Sequence, residues 1–392
     1  MSCLRLILVF IVGMLGLSAS TAPPDTVISL ITCHPGHDIY ELEGHTAIRV
    51  RTPKADLAVS YGIFNFDEPN FVYRFVKGET DYMVGAIPWQ PFLDSYRHDG
   101  RRVDEQVLNL TSDQKARLLA LLGANLLPQN RVYRYNYVKD NCATRPLAMI
   151  ELAIGDSIAL GPTVFDTWSR PSSFRDVMRF YHRNYPWYQF GIDLALGSGI
   201  DYPLPSRQYS FAPVLLEQQI EGATLNGRHI AQKAVPLIDL PSDNAVAGPT
   251  PWYLTPTFVS WLVFALLLWA TVRDQRRRQS TKWVDALYFG ILGLAGLLLT
   301  FLIFVSVHEA TSPNWLYLWI NPFCLVPTIF IWLKKGEKVV LSYQIINFAL
   351  VLGLTVCWIW IPQSANPAFL PLVMGDLLRA VNYITLNYNK KA

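Results

Sequence analysis

The 392-residue chain is 51% hydrophobic with a mean hydropathy of +0.22, high for a soluble protein and long enough for two domains. The apolar excess lies before Ala22 and after Leu254, so a polar, aromatic-rich middle is flanked by membrane-type sequence. The formal charge of +3 is small and its basic clusters sit beside apolar segments, where topology accounts for them, which argues against a nucleic-acid partner.

In chain order, Arg5, an apolar run and the small residues Ser18-Ala19-Ser20-Thr21-Ala22 read as a secretory signal peptide over residues 1–22. Residues 23–252 then form an exported domain. Of five cysteines only Cys33 and Cys142 fall in it, so it holds one disulfide at most. Residues 26–32 read as a buried strand, Pro35-Gly36 as a turn, 41–51 as a second strand entered at His45, and 57–66 as a third. Residues 70–96, rich in aromatics and glycine, show no assignable period. Residues 102–110 suit a strand, and Thr111-Ser112-Asp113-Gln114 is a capping box opening a helix to about Asn125. An alternating strand over 131–138 leads to Asp140-Asn141-Cys142. Residues 161–248, with many prolines and aromatics, read as an irregular elaboration able to shape a substrate groove.

The helix after Cys142 carries Leu147, Ile150 and Ala153 at helical spacing and closes at Gly155; Pro146 requires that it start late, leaving Cys142 just outside. Unpaired N–H groups and the positive dipole end at such a start are expected to lower a thiol's pKa and to hold an oxyanion. Cys142 is therefore the candidate nucleophile and His45 its candidate base, since the two need be close only in space. Order of elements gives an α+β exported domain.

Apolar segments at about 257–272, 286–307, 316–333, 339–360 and 370–386 read as an α-helical membrane bundle of about five spans in a domain covering 253–392. Arg273, Arg276-Arg277-Arg278, Lys282, Lys334-Lys335, Lys338 and Lys390-Lys391 mark the cytoplasmic side, and the outer loops share the opposite side with the exported domain. In the outer loop, His308 and Asn314 with Trp315 and Trp319 put polar and indole groups at headgroup depth, as candidate substrate contacts. Asp376 and Arg379, three apart in the last span, are expected to pair with each other or to face the bundle.

Gly44-His45-Thr46-Ala47-Ile48-Arg49-Val50, Tyr135-Asn136 and Asn141-Cys142-Ala143-Thr144-Arg145 resemble the paired motifs of the Lnb family of lipoprotein N-acyltransferases of Bacteroidota. Leu30-Ile31-Thr32-Cys33, Pro35-Gly36 and the later Ser306-Val307-His308-Glu309 and Asn321-Pro322 fit the same family, so the resemblance covers most of the chain. It implies a permuted papain-like exported domain, with Cys142 forming a thioester and His45 acting as base and then acid. It also implies a third polar group on the strand after the histidine, Tyr61 or Asn65, of which Tyr61 is preferred. Asn141 and Arg145, beside the thiol, are candidate substrate contacts. No metal or cofactor is expected. The partners implied are a lipoprotein substrate and a phospholipid or other acyl lipid as donor, at the periplasmic side of the inner membrane. A membrane-tethered cysteine peptidase or amidase acting on cell-wall peptide, and a non-catalytic envelope-assembly protein, are the competing classes. Five spans with aromatics at lipid depth favour the acyltransferase, because a hydrolase needs one tether at most.

Overall fold

A computed structural model describes residues 22–23, 25–165 and 171–388. The signal-peptide expectation falls on residues outside that range, apart from Ala22. Two compact units emerge, one built from the exported part of the chain and one around the membrane helices.

In the first unit, β1 (Val27–Cys33), β2 (His45–Arg51), β3 (Asp56–Ile63) and helix α1 (Phe71–Lys77) come first. There follow β4 (Asp81–Pro88), α2 (Trp89–His98), β5 (Val103–Val107), α3 (Ser112–Leu126), β6 (Val132–Arg134) and α4 (Thr144–Ile154). The strands β1–β6 and the later β9 (Val235–Ile238) form one antiparallel sheet in the order β6-β4-β3-β2-β1-β5-β9. Strand alternation divides its side chains between two faces. Ile28, Leu30, Ile48, Val50, Val59 and Tyr61 point to one face, where Leu118, Leu122, Leu147 and Ile150 of α3 and α4 cover them. Ile31, Cys33, Ala47 and Ala58 point to the other, under Trp89, Phe92 and Leu93 of α2.

Local signals hold where they were strongest. Thr111 and Gln114 make both bonds of the capping box, and α4 ends at Gly155, which takes the left-handed φ of 80° that a glycine tolerates. Residues 70–96, without a readable period, contain α1, β4 and α2, because these elements are short and their apolar residues serve two different cores. The expected strand over 131–138 is only three residues long; from Asn136 the chain closes a turn on Asp140.

The second unit contains α5 (Phe174–Tyr181) from Arg175 on, and α6 (Pro186–Ala195), and then the C-terminal part of the chain. Helix α7 (Pro213–Glu221) and the short strands β7 (Thr224–Leu225) and β8 (Arg228–His229) return to the first unit. The elaboration at 161–248 is thus divided: residues 175–202 belong with the membrane helices, and the segment is braced internally by the fully buried Arg175, which bonds Asp193 at 3.0 Å and Asp201 at 2.7 Å. Asn366 and Arg179 tie the same segment to the loop before the last helix.

Among the described residues, four helices are long and apolar enough to cross a membrane: α8 (Pro256–Arg277), α9 (Lys282–Phe304), α11 (Glu337–Cys357, extended by a 3-10 turn to Trp360) and α12 (Phe369–Tyr388). The third of the five expected spans differs. It breaks into two 3-10 turns and the short α10 (Leu325–Phe330), because Pro322 and Pro327 interrupt the hydrogen-bond ladder. Gly296 of α9 lets this irregular backbone approach, since a side chain there would strike Asn321. Asp376 and Arg379 do not pair with each other. Arg379 bonds Asp285 at 2.6 Å and Asp274 at 2.9 Å on α9 and α8, and Asp376 accepts from Asn347 of α11. Each charge therefore finds a partner on a neighbouring helix, inside the bundle. Trp319 is fully buried beside Phe369 rather than interfacial.

Candidate active site

Cys142 stands two residues before α4, at the end of a turn organised by one side chain. Asn141 is buried; its Oδ1 accepts the N–H groups of Ala143 and Thr144, and its Nδ2 donates to the carbonyls of Tyr137 and Phe211. This satisfies two orphan N–H groups of the helix start and leaves the adjacent thiol facing the sheet. Pro146 falls in the first turn, where its missing N–H costs nothing.

The half-buried sulfur of Cys142 receives the backbone N–H of Thr46, its own backbone N–H and the hydroxyl of Tyr135. Thr46 adjoins His45, the first residue of β2, so the fold brings the cysteine to the residue next to the histidine. Gly62, beside the β3 bulge, packs against Cys142 and Tyr135 and takes a φ of +83°, a left-handed conformation that a residue with a side chain adopts only under strain. On the other side of His45, Nε2 lies 2.6 Å from the Ser60 hydroxyl.

Burial decides the protonation states. It lowers His45 to about 4, helped by the charge of Arg101, and raises the Cys142 thiol to about 11 against the pull of the N–H donors. The lowered thiol pKa expected from the helix start is therefore overturned: desolvation outweighs the N–H groups and the dipole end. At neutral pH Cys142 is a thiol and His45 a neutral imidazole. Cys33, the cross-strand partner of His45, is a separate free thiol, buried and pushed up to about 12, so no disulfide joins it to Cys142.

A family model described as the Lnb N-terminal periplasmic domain matches residues 17–173, and one described as the Lnb transmembrane domain matches 249–391. The chain belongs to the Lnb family. It is a membrane protein with a periplasmic α+β domain followed by apolar helices. No curated protein and no solved structure matches it.

In this Lnb chain the other candidate residues have structural partners. Tyr61 points to the face opposite Ser60 and His45; it is fully buried in the core and its hydroxyl accepts from Asn125 at 2.9 Å. Ser60, one residue earlier, is the group on the imidazole, and strand alternation from His45 through the pair Ala47 and Ser60 is the signal that could have found it. Arg145 is held by both oxygens of Asp140 and lies 3.4 Å over the Tyr133 ring. Asn314, in the second unit, bonds the Leu194 carbonyl, the Leu316 N–H and Gln363. His308 packs near Gly78 within the same unit.

His34, Asp104 and Glu217 place three possible metal-ligand atoms within 4.8 Å of one another. His34 already bonds Ser242 and Asp104, and Asp104 accepts from Arg102 through both oxygens. Glu217 is raised to about 8, mainly by burial and then by Asp104, so it holds a proton at neutral pH. The cluster thus reads as a buried polar core where the end of β1, β5 and α7 meet.

Proposed function

We propose that Cys142 takes an acyl chain from a membrane lipid ester as a thioester and passes it to the α-amino group of a diacylglyceryl lipoprotein's N-terminal cysteine. The observation that supports this most is the thiol of an Lnb chain held by the Thr46 N–H beside a neutral His45 whose far nitrogen rests on Ser60. With Nε2 donating to Ser60, Nδ1 is the nitrogen left to accept the thiol proton as sulfur attacks the ester carbonyl. The N–H groups of Thr46 and Cys142 are the donors available to the developing oxyanion. The imidazolium then returns the proton to the departing lysolipid oxygen. In the second half, the amine attacks the thioester carbonyl, His45 accepts its proton, and the sulfur leaves and is reprotonated. The bundle of apolar helices with basic inner loops supports assignment to the inner membrane, with the catalytic domain on its periplasmic side.

Intact mass of a lipoprotein produced with the parent chain, Cys142→Ala or His45→Ala tests this reading. The parent is expected to add one acyl chain and either variant none, with the variants inserted normally. N-acylation by Cys142→Ala, or release of a cell-wall peptide without acyl transfer, overturns it. Cys33→Ser is the control that keeps activity.

A further inference from the structure

The connection between β1 and β2 carries three carboxylates, Asp38, Glu41 and Glu43. Two of them serve the fold. Asp38 accepts from the Tyr40 hydroxyl at the surface, and Glu41 accepts from the buried guanidinium of Arg101. Glu43 differs: it is only 7% exposed, and its charge acts on Cys142 and on Tyr135, whose hydroxyl reaches the sulfur. Chain geometry keeps it there. Glu43 precedes by three residues Thr46, whose N–H lies on the sulfur, so at most about 11 Å of backbone separates them. Gly44, between them, takes a φ of +90°, and a side chain there would strike the Cys33 carbonyl oxygen at 2.5 Å. The turn that sets Glu43 beside the start of β2 therefore admits only glycine.

A buried negative charge hinders the first half of the proposed reaction, because it raises the thiol and opposes the thiolate that attacks an ester. It suits the second half. The α-amino group that enters there has an ordinary pKa of about 7.7–8.0, so at neutral pH it arrives mostly as a cation. Moving an ammonium out of water and up to a buried thioester is costly unless an opposite charge meets it.

We infer that Glu43 is the ammonium site of the acceptor: its carboxylate pairs with the incoming α-ammonium and holds the nitrogen beside the Cys142 thioester. This deepens the proposed reaction and rests on it for the thioester. The ammonium brings three protons on nitrogen. One passes through the Glu43 carboxylate to solvent and leaves a neutral amine. The second goes to His45 as the nitrogen attacks and returns to the departing sulfur, and the third stays on the amide nitrogen. The C–N bond forms as the C–S bond breaks, and nothing is oxidised or reduced. Water, a neutral nucleophile, gains no pairing from the carboxylate, so the same residue favours aminolysis over hydrolysis.

The test uses the full chain in detergent, with Cys142→Ala to prevent turnover, and two probes: a synthetic diacylglyceryl-cysteine peptide with a free α-amino group, and its isostere with an α-hydroxyl. Titration calorimetry is expected to show the amine peptide bound about tenfold more tightly, the strength of one charge-assisted hydrogen bond. Adding Glu43→Gln should remove that preference by weakening the amine peptide alone, and unchanged binding of the hydroxyl peptide then shows that the chain is folded. Equal binding of the two peptides overturns the inference, as does a preference that survives Glu43→Gln. The two-peptide comparison needs no substitution at Glu43, so it decides even where the variant does not fold. With Cys142 present, Glu43→Gln should be acylated by a short-chain ester at least as fast as the parent, while KM for the amine acceptor rises about tenfold. Slower acylation with an unchanged acceptor KM overturns the inference too, since the charge would then serve the thiol. An amine preference that depends on Glu43, in a chain whose Cys142 accepts no acyl group, would count against the proposed reaction and leave the ammonium site standing.

Discussion

Replacing Ser60 by alanine removes the group that holds the far side of His45. The bond is 2.6 Å long and Ser60 is only 3% exposed, so water does not readily replace the lost hydroxyl. In the resting protein it joins two neutral groups, because the imidazole stays neutral above about pH 4. Such a bond contributes about 1 kcal/mol net, whereas one made by the imidazolium formed during thiol attack contributes about 1.5–3 kcal/mol. The difference, about 0.5 to 2 kcal/mol, is stabilisation realised only as charge develops, and its midpoint corresponds to roughly tenfold in the acylation rate. Acyl-enzyme formation, followed by intact mass after rapid mixing with a short-chain ester, is expected to slow about tenfold in Ser60→Ala. Ser60→Thr, which keeps the hydroxyl, should recover most of the rate. A Ser60→Ala chain that acylates within about twofold of the parent, while His45→Ala does not, would refute the positioning of the imidazole through Ser60. Tyr61→Phe is expected to leave the rate unchanged, since its hydroxyl meets Asn125 in the core.

The acylation rate of the parent should rise with pH through about 4, as His45 loses its proton, and stay level until the thiol ionises near 11. Arg101→Gln removes a cation that holds His45 down, so the acid limb should move upward, though burial keeps it below the free-histidine range; a pH–rate series checks both. Glu217 has its folded pKa raised from 4.5 to about 8, so its contribution to stability is full below pH 4.5 and is lost as pH rises through 8. Glu217→Gln should accordingly melt higher than the parent at pH 8–9 and lose that advantage near pH 4.5, as thermal unfolding in detergent would report. Arg379→Leu leaves Asp274 and Asp285 facing each other in the bundle without their shared cation, which costs about 3–5 kcal/mol. Its yield of inserted, folded protein should fall sharply, and Asp285→Asn in the same chain should recover part of it.

Sequence alone determined what depends on neighbours along the chain. The capping box at Thr111, the glycine stop of α4, the late helix start imposed by Pro146 and the long apolar helices all express propensities acting over a few residues. The His45 and Cys142 motifs were legible for the same reason, as short runs of adjacent residues. Only the tertiary structure decided which groups meet across strands and helices. Ser60 rather than Tyr61 stands on His45 because the pleat sends consecutive side chains to opposite faces, and the register that fixes those faces is set by pairing over the whole sheet. Residues 175–202 join the membrane helices through Arg179, which donates to Ser364, and Asp193, which accepts from Asn366, pairings across more than 170 residues that no periodicity encodes. The Cys142 thiol is raised rather than lowered because desolvation is summed over all surrounding atoms, whereas the helix start that suggested the opposite is a local feature.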